Sequence, residues 1–209
     1  MGFKGKNDKV SKLKDSKEGY DLYSKHYEKD HFHLNTFEDG GFDIMYRDVK
    51  GKKILEIGAG TGRITGELKR FGAEVSACDI SENMLKILNR KFPDVETKVC
   101  DIHELPYEDN SFDAVYAMFV VVHIEDLQTV FDEVHRVLKD GGVFVLSNIN
   151  QRKAPKLKID NGEEIIIKSQ YHMPKNIISN LENSFFSIQD EYFMYNEKVW
   201  VTQLIKAKK

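Results

Sequence analysis

Lys53-Ile54-Leu55-Glu56-Ile57-Gly58-Ala59-Gly60-Thr61-Gly62-Arg63 constrains this chain more than any other stretch. An apolar, β-branched run enters a glycine-rich turn, and a helical pattern follows at once. In such a unit the backbone comes close to a ligand without a Cβ in the way, and the N–H groups at the helix start favour an anion. The glycines are spaced G-x-G-x-G. The dinucleotide fingerprint G-x-G-x-x-G needs glycine at 63, where Arg63 stands, and this counts against a nicotinamide cofactor.

From this turn onward strands and helices alternate. Lys53–Ile57 reads as a strand, 62–70 as a helix stopped near Gly72, and Glu74–Asp79 as a strand. Ser81 is placed to cap a helix that runs to Phe92, just before Pro93. Strands follow over 96–101, Phe112–Ala117 and 142–148. A helix over 127–138 precedes the last of these and is broken by Lys139-Asp140-Gly141-Gly142. Strands separated by helices imply right-handed crossovers and a parallel sheet. The end of the chain differs: 186–195 and 198–206 are extended runs joined at Asn196-Glu197, which predicts an antiparallel hairpin on that sheet.

The 209 residues suit one domain with modest additions. Residues 1–17 read as a flexible basic tail and 18–50 as an N-terminal helical cap. Residues 51–209 form the α/β domain, with an insert over 149–185. Within the cap, Tyr20, Tyr23 and Tyr27 share one helical face in a helix reaching Phe37, and a second short helix follows over 42–49. The spacing of His26, His31 and His33 does not make a metal-ligand set, so no metal is expected. Cys78 and Cys100 close apolar runs and imply neither a disulfide framework nor a zinc site. A net charge of −3 disfavours a nucleic-acid partner. No signal-peptide pattern or run of membrane-spanning length is visible, so a cytoplasmic protein without a membrane partner is expected, as monomer or homodimer.

In a doubly wound sheet, ligands bind beyond the carboxyl ends of the strands, where the strand order reverses. Asp79 ends the second strand, about twenty residues after the glycines, where an acid can accept hydrogen bonds from ribose hydroxyls. Asp101 ends the third and is followed by Ile102; an acid beside an apolar residue suits an adenine. Met84, on the helix after Asp79, can cover the opposite ring face.

On these residues the chain resembles the class I S-adenosylmethionine-dependent methyltransferases. The matching segments are Ile54 to Arg63, Cys78-Asp79-Ile80-Ser81, Cys100-Asp101-Ile102, Phe112-Asp113-Ala114-Val115 through His123-Ile124, and Arg136-Val137-Leu138-Lys139-Asp140-Gly141-Gly142. The last two resemble the small-molecule branch that includes ubiquinone and menaquinone methyltransferases. The resemblance implies a Rossmann-like α/β fold: a seven-stranded, mainly parallel sheet with an antiparallel C-terminal hairpin and helices on both faces. It implies S-adenosylmethionine as cofactor, S-adenosylhomocysteine as product, and a small-molecule acceptor methylated on oxygen or nitrogen by direct displacement. Glu56, Gly58, Ala59 and Gly60 then lie near the methionine part, Asp79 and Ile80 at the ribose, and Asp101, Ile102 and Met84 at the adenine. Met118 and Phe119 line the methionine side. Tyr20 is the candidate to reach the cofactor carboxylate, with Tyr27 second.

The acceptor side is less constrained. His123, just past the fourth strand, is the candidate general base. Tyr23, Tyr27, Tyr171 and His172 are candidates for contacting the acceptor. Residues 117–123, Ala-Met-Phe-Val-Val-Val-His, lack the Asn/Asp/Ser-Pro-Pro-Tyr motif that holds a flipped nucleobase, which also disfavours a nucleic-acid acceptor. Three other readings stay open at this level: a non-catalytic module that only binds S-adenosylmethionine, a nicotinamide-dependent oxidoreductase on a similar sheet, and a macromolecular methyltransferase that modifies protein or RNA.

Overall fold

The computed structural model describes residues 11–30 and 45–209. Ten strands and five helices are introduced here in chain order: β1 (Lys12–Lys14), α1 (Ser16–Asp30), β2 (Lys53–Ile57), α2 (Arg63–Arg70), β3 (Glu74–Asp79), α3 (Glu82–Lys91), β4 (Glu96–Val99), β5 (Phe112–Ala117), α4 (Leu127–Val137), β6 (Leu138–Ile149), β7 (Lys156–Lys158), β8 (Glu164–Ile167), α5 (Pro174–Asn183), β9 (Ser187–Asn196) and β10 (Val199–Lys208).

Seven strands form one sheet in the order β4-β3-β2-β5-β6-β10-β9. β2 pairs in parallel with β3 on one side and β5 on the other, so the strand order reverses beside the glycine turn. β4 and β6 extend the parallel part. β10 runs antiparallel to both β6 and β9, as the hairpin pattern predicts. Alternating side chains divide between two layers. Leu55, Ile57, Val115 and Ala117 join Phe131 and Val134 of α4 in one core. Ile54, Ala114 and Tyr116 join Ile64 and Leu68 of α2 in the other. Helices therefore cover both faces, as a parallel sheet requires.

Local chemistry fixes the helix starts. The Ser81 hydroxyl accepts from the Met84 amide at 3.2 Å, and Asp126 caps α4 by accepting from the Thr129 amide at 3.2 Å. Pro174 opens α5, where its missing N–H costs nothing.

A second sheet, β1-β8-β7, joins the N-terminal segment to the insert. Of the segment read as a flexible tail, 1–17, the described part is not a tail: Lys12–Lys14 is a strand running parallel to β8, and α1 already begins at Ser16. The lysines concealed it, because only Leu13 is apolar in that strand and the strand is held by backbone pairing instead. α1 packs over this sheet through Tyr23, which is buried with Ile159, Ile165 and Ile167. The third parallel strand stops at Val99, short of Asp101, although the Cys100 amide still donates to Asp79 O at 3.0 Å. β6 begins at Leu138, earlier than the glycine pair indicates. The expected extension of the cap helix to Phe37, with His31 and His33, lies outside the described residues, as do the first three residues of the short helix over 42–49; of its described part, Met45 and Tyr46 are helical.

Candidate functional site

A cavity of about 760 Å³, counting its mouth, opens at the carboxyl ends of β2, β3 and β5. That is the size of pocket that takes a cofactor-sized ligand. The glycine turn supplies its floor with Gly58 and Gly60. Gly58 has φ +66, and a Cβ there would stand 2.5 Å from Val120 Cγ2, so the Val120 side chain packs onto the turn at a point where only glycine fits. A Cβ on Gly60 would meet nothing within 4 Å; this glycine leaves bare backbone facing open space.

Asp79 and Ile80 line the same cavity from the end of β3. The Asp79 carboxylate is 7% exposed and already shaped by the turn: Oδ2 accepts from the Gly60 amide and Oδ1 from the Ser81 amide, each at 2.8 Å. Burial pushes its pKa up to about 6, with nearby Asp21 adding to the rise and the two amides opposing it. Carboxylates perturbed in this way cluster at functional sites. Asp101, Ile102 and Met84 complete this end. Asp101 Oδ1 accepts from the His103 amide at 2.9 Å and pairs with His103 Nδ1 at 2.6 Å. Partial burial raises its carboxyl, but the His103 contacts outweigh that and hold it below the ordinary range.

The opposite wall is Met118, Phe119, Val120 and His123, after β5. Phe119 adopts φ +59 and donates its amide to Ser147 Oγ at 2.8 Å, while the Arg63 guanidinium lies 5.1 Å from its ring centre. His123 closes a short 3-10 turn, Val121–His123. Its Nδ1 is 3.0 Å from Lys168 O, and its Nε2 is 2.7 Å from the Tyr20 hydroxyl. A carbonyl only accepts, so Nδ1 carries the proton and Nε2 accepts from Tyr20. Burial lowers the His123 pKa, which keeps the ring neutral, and raises that of Tyr20 well above the tyrosine norm.

Tyr20 and Tyr27 reach the cavity from α1. α1 is tied to the first turn of α3 through Asp21, whose Oδ1 accepts from the Ser81 hydroxyl at 2.6 Å and the Asn83 amide at 3.1 Å. Asp21, Ser16, His103 and Val120 were not singled out from the sequence. Asp21 follows Tyr20 on α1, but only the fold brings it to Ser81.

Of the predicted residues, Tyr20, Tyr27, Gly58, Gly60, Asp79, Ile80, Met84, Asp101, Ile102, Met118, Phe119 and His123 line this one cavity. Five others do not. Glu56 is buried and accepts from the Thr65 hydroxyl, which ties the glycine turn to α2. The Ala59 amide donates to Cys78 O at 3.0 Å, so its backbone is committed to the sheet. Tyr23 packs under the small sheet because its helical face turns inward there. Tyr171 stacks against Arg152 at 4.9 Å, and His172 Nε2 is engaged with Ile124 O at 2.8 Å. Among the described residues, no group of three or more His, Cys, Asp or Glu stands together as a metal set. No described helix is long and apolar enough to cross a membrane.

Comparisons agree with this geometry. A family described as "Methyltransferase domain" matches residues 55–146. A demethylmenaquinone methyltransferase of Paenarthrobacter aurescens is 37% identical over 109 residues, 52% of this chain and 43% of that protein. One from Clavibacter sepedonicus is 29% identical over 180 residues, 81% of this chain and 71% of that protein. The chain thus spans less than half the length of the first of these relatives. The solved structure of an S-adenosylmethionine-dependent methyltransferase from Mesorhizobium loti superposes with TM-score 0.69 at 20% identity, covering 83% of this chain and 98% of that one.

Proposed function

We propose that this chain, a class I S-adenosylmethionine-dependent methyltransferase by the domain it carries, moves a methyl group onto an oxygen or nitrogen of a small-molecule acceptor by direct displacement. The observation that supports this most is the convergence of Gly58, Gly60, Asp79, Asp101, Met84 and Met118 on one cavity at the strand reversal. These residues fit the cofactor: bare glycine backbone borders open space, and a buried carboxylate stands where a ribose would sit.

The cofactor supplies a methyl already activated by a positively charged sulfur. Asp79 would accept hydrogen bonds from the ribose hydroxyls on the lone pairs that the Gly60 and Ser81 amides leave free. Asp101, Ile102 and Met84 would hold the adenine. Met118 and Phe119 border the methionine end. With the methyl so fixed, alignment and exclusion of water supply most of the catalysis, roughly 7–11 kcal/mol for a well-oriented pair. His123 takes up the acceptor's proton where one must leave. The acceptor of the similar proteins is, by their names, a demethylmenaquinone. A small organic acceptor agrees with a cavity that α1 closes through Ser16, Tyr20 and Tyr27.

Calorimetric titration of wild type and Asp79→Ala with S-adenosylhomocysteine tests the assignment. Removing two charge-assisted hydrogen bonds, each about 1.5 kcal/mol, should weaken binding by about two orders of magnitude. Equal affinity in the two proteins would remove Asp79 from the cofactor site.

A further inference from the structure

Behind the cofactor cavity lies a second space of about 560 Å³, and the two share Tyr20, Tyr27, Phe119 and His123. The rest of its wall is Val122, Ile149, Pro155, Leu157 and Ile167, with Gln151 as the remaining polar residue. No carboxylate, lysine or arginine is among the described residues that line it. The shared wall is where an acceptor must meet the methyl, and that wall holds the Tyr20–His123 hydrogen bond of 2.7 Å.

Resting on the methyltransferase reading above, we propose that this second space is the acceptor site, that it takes an uncharged, apolar-bodied molecule with an acidic hydroxyl, and that Tyr20 and His123 together remove that hydroxyl's proton.

The lining chooses the class. Among the described residues, an ammonium in this space would find no carboxylate partner, and a carboxylate would find no cation; each would lose hydration without return. A hydroxyl on an apolar body loses little, and its oxygen finds Tyr20. The hydrogen-bond directions choose the role. Nδ1–H of His123 is committed to Lys168 O, so Nε2 is left as the acceptor and already holds the Tyr20 hydroxyl. The acceptor hydroxyl donates to Tyr20 Oη, and as its proton moves there the tyrosine's own proton passes to His123 Nε2. The freed oxygen pair bonds to the methyl carbon while the carbon–sulfur bond breaks, its electrons going to sulfur. The products are the methyl ether, S-adenosylhomocysteine and a protonated His123 that returns its proton to water. Tyr20 is not required to persist as a phenolate, which its burial disfavours.

The insert builds this pair. The Gln170 amide donates to Val122 O at 2.7 Å, and Lys168 Nζ pairs with Glu125 at 2.6 Å, so the segment after β8 clamps the turn that carries His123.

The test uses the full chain with S-adenosylmethionine and three probes: 2-naphthol, 2-naphthylamine, and 4-nitrophenol, the last mostly ionised in a mildly alkaline assay and compared by kcat at saturation, because this lining binds an anion weakly. Wild type should methylate 2-naphthol in preference to the amine. Tyr20→Phe and His123→Asn should each lower kcat for 2-naphthol, by about 10²–10⁴ for the loss of base catalysis, while kcat for ionised 4-nitrophenol changes little. Titration of both variants with S-adenosylhomocysteine separates loss of the base from loss of cofactor binding. Equal losses on both phenols would make the pair structural and overturn the proposal, as would preference for the amine. So would a wild type that binds S-adenosylhomocysteine yet methylates neither phenol; the methyltransferase reading would then stand without this acceptor class. Failure to bind S-adenosylhomocysteine at all would count against that reading itself, and this inference would fall with it.

Discussion

Replacing Asp79 by asparagine keeps the shape of a cavity residue while removing its charge, and the structure sets what that should do to stability. In the folded chain the carboxyl titrates near 6 against an ordinary 3.8, chiefly because it is buried. The folded state therefore holds this proton more tightly than the unfolded state. Stability is unaffected by the group below about pH 4, falls as pH rises toward 6, and stays reduced above it. The full penalty is a shift of about two units, or about 3 kcal/mol. Asparagine removes it but offers one acceptor oxygen where Asp79 offers two, so either the Gly60 or the Ser81 amide loses its partner. That costs about 1–3 kcal/mol. At neutral pH the two effects nearly offset, and the variant should be as stable as wild type or up to about 2 kcal/mol more so. The pH dependence is cleaner, because the lost hydrogen bond does not titrate. Between about pH 4.5 and about pH 7.5 the stability difference should move by about 2 kcal/mol in favour of the variant. Urea unfolding of both proteins without cofactor, at several pH values, measures this. Parallel stability curves would refute the reasoning and mean that Asp79 is solvated more than its burial implies.

Three further outcomes are expected. Gly58→Ala forces a Cβ to within 2.5 Å of Val120 at φ +66 and should cost at least about 1–2 kcal/mol in urea unfolding, with weaker S-adenosylhomocysteine binding; unchanged values would contradict the close approach. Gly19→Ala places a Cβ 2.6 Å from Ile167 Cγ1, so α1 should lift from β8 at a cost of about 1–3 kcal/mol. Adding Ile167→Ala should recover part of that loss, and strictly additive losses would argue against the clash. Arg136 holds Glu133 and Asp109 at 2.8 Å and donates to the Tyr107 and Leu105 carbonyls, so Arg136→Lys should lose about 2 kcal/mol from a fork that lysine cannot reproduce; full stability would contradict it.

The sheet was legible because its residues obey one strong rule: parallel strands are buried on both faces and read as apolar runs, as in Ile54 to Ile57 and Val115 to Ala117. The meeting of Gly58, Asp79 and Asp101 in one cavity was legible for a related reason. Each stands at or just past the end of a strand, so their separation along the chain fixes their meeting in space. The cap and insert obey no such rule. β1 is three residues of Lys-Leu-Lys whose partner lies about 150 residues away in β8, and local pattern carries nothing across that distance. Tyr23 and Tyr27 share a helix face by spacing and both pack against the small sheet, yet Tyr27 alone of the two also lines the cavity. Which of them does so depends on the angle at which α1 crosses β8. His172 reads as a pocket residue because it is a histidine in the insert; in the fold its ring holds the Ile124 carbonyl. The tie between Tyr20 and His123 joins residues 103 apart and emerges only once cap and sheet are assembled.

The central claim, that the cavity at the strand reversal is built for S-adenosylmethionine, is tested most directly by calorimetric titration of the full chain with S-adenosylhomocysteine, with NADH as the control ligand. One-site binding of S-adenosylhomocysteine and no heat from NADH is the predicted result. Binding of NADH in preference to S-adenosylhomocysteine would contradict it and return Arg63 and the glycine turn to a nicotinamide reading.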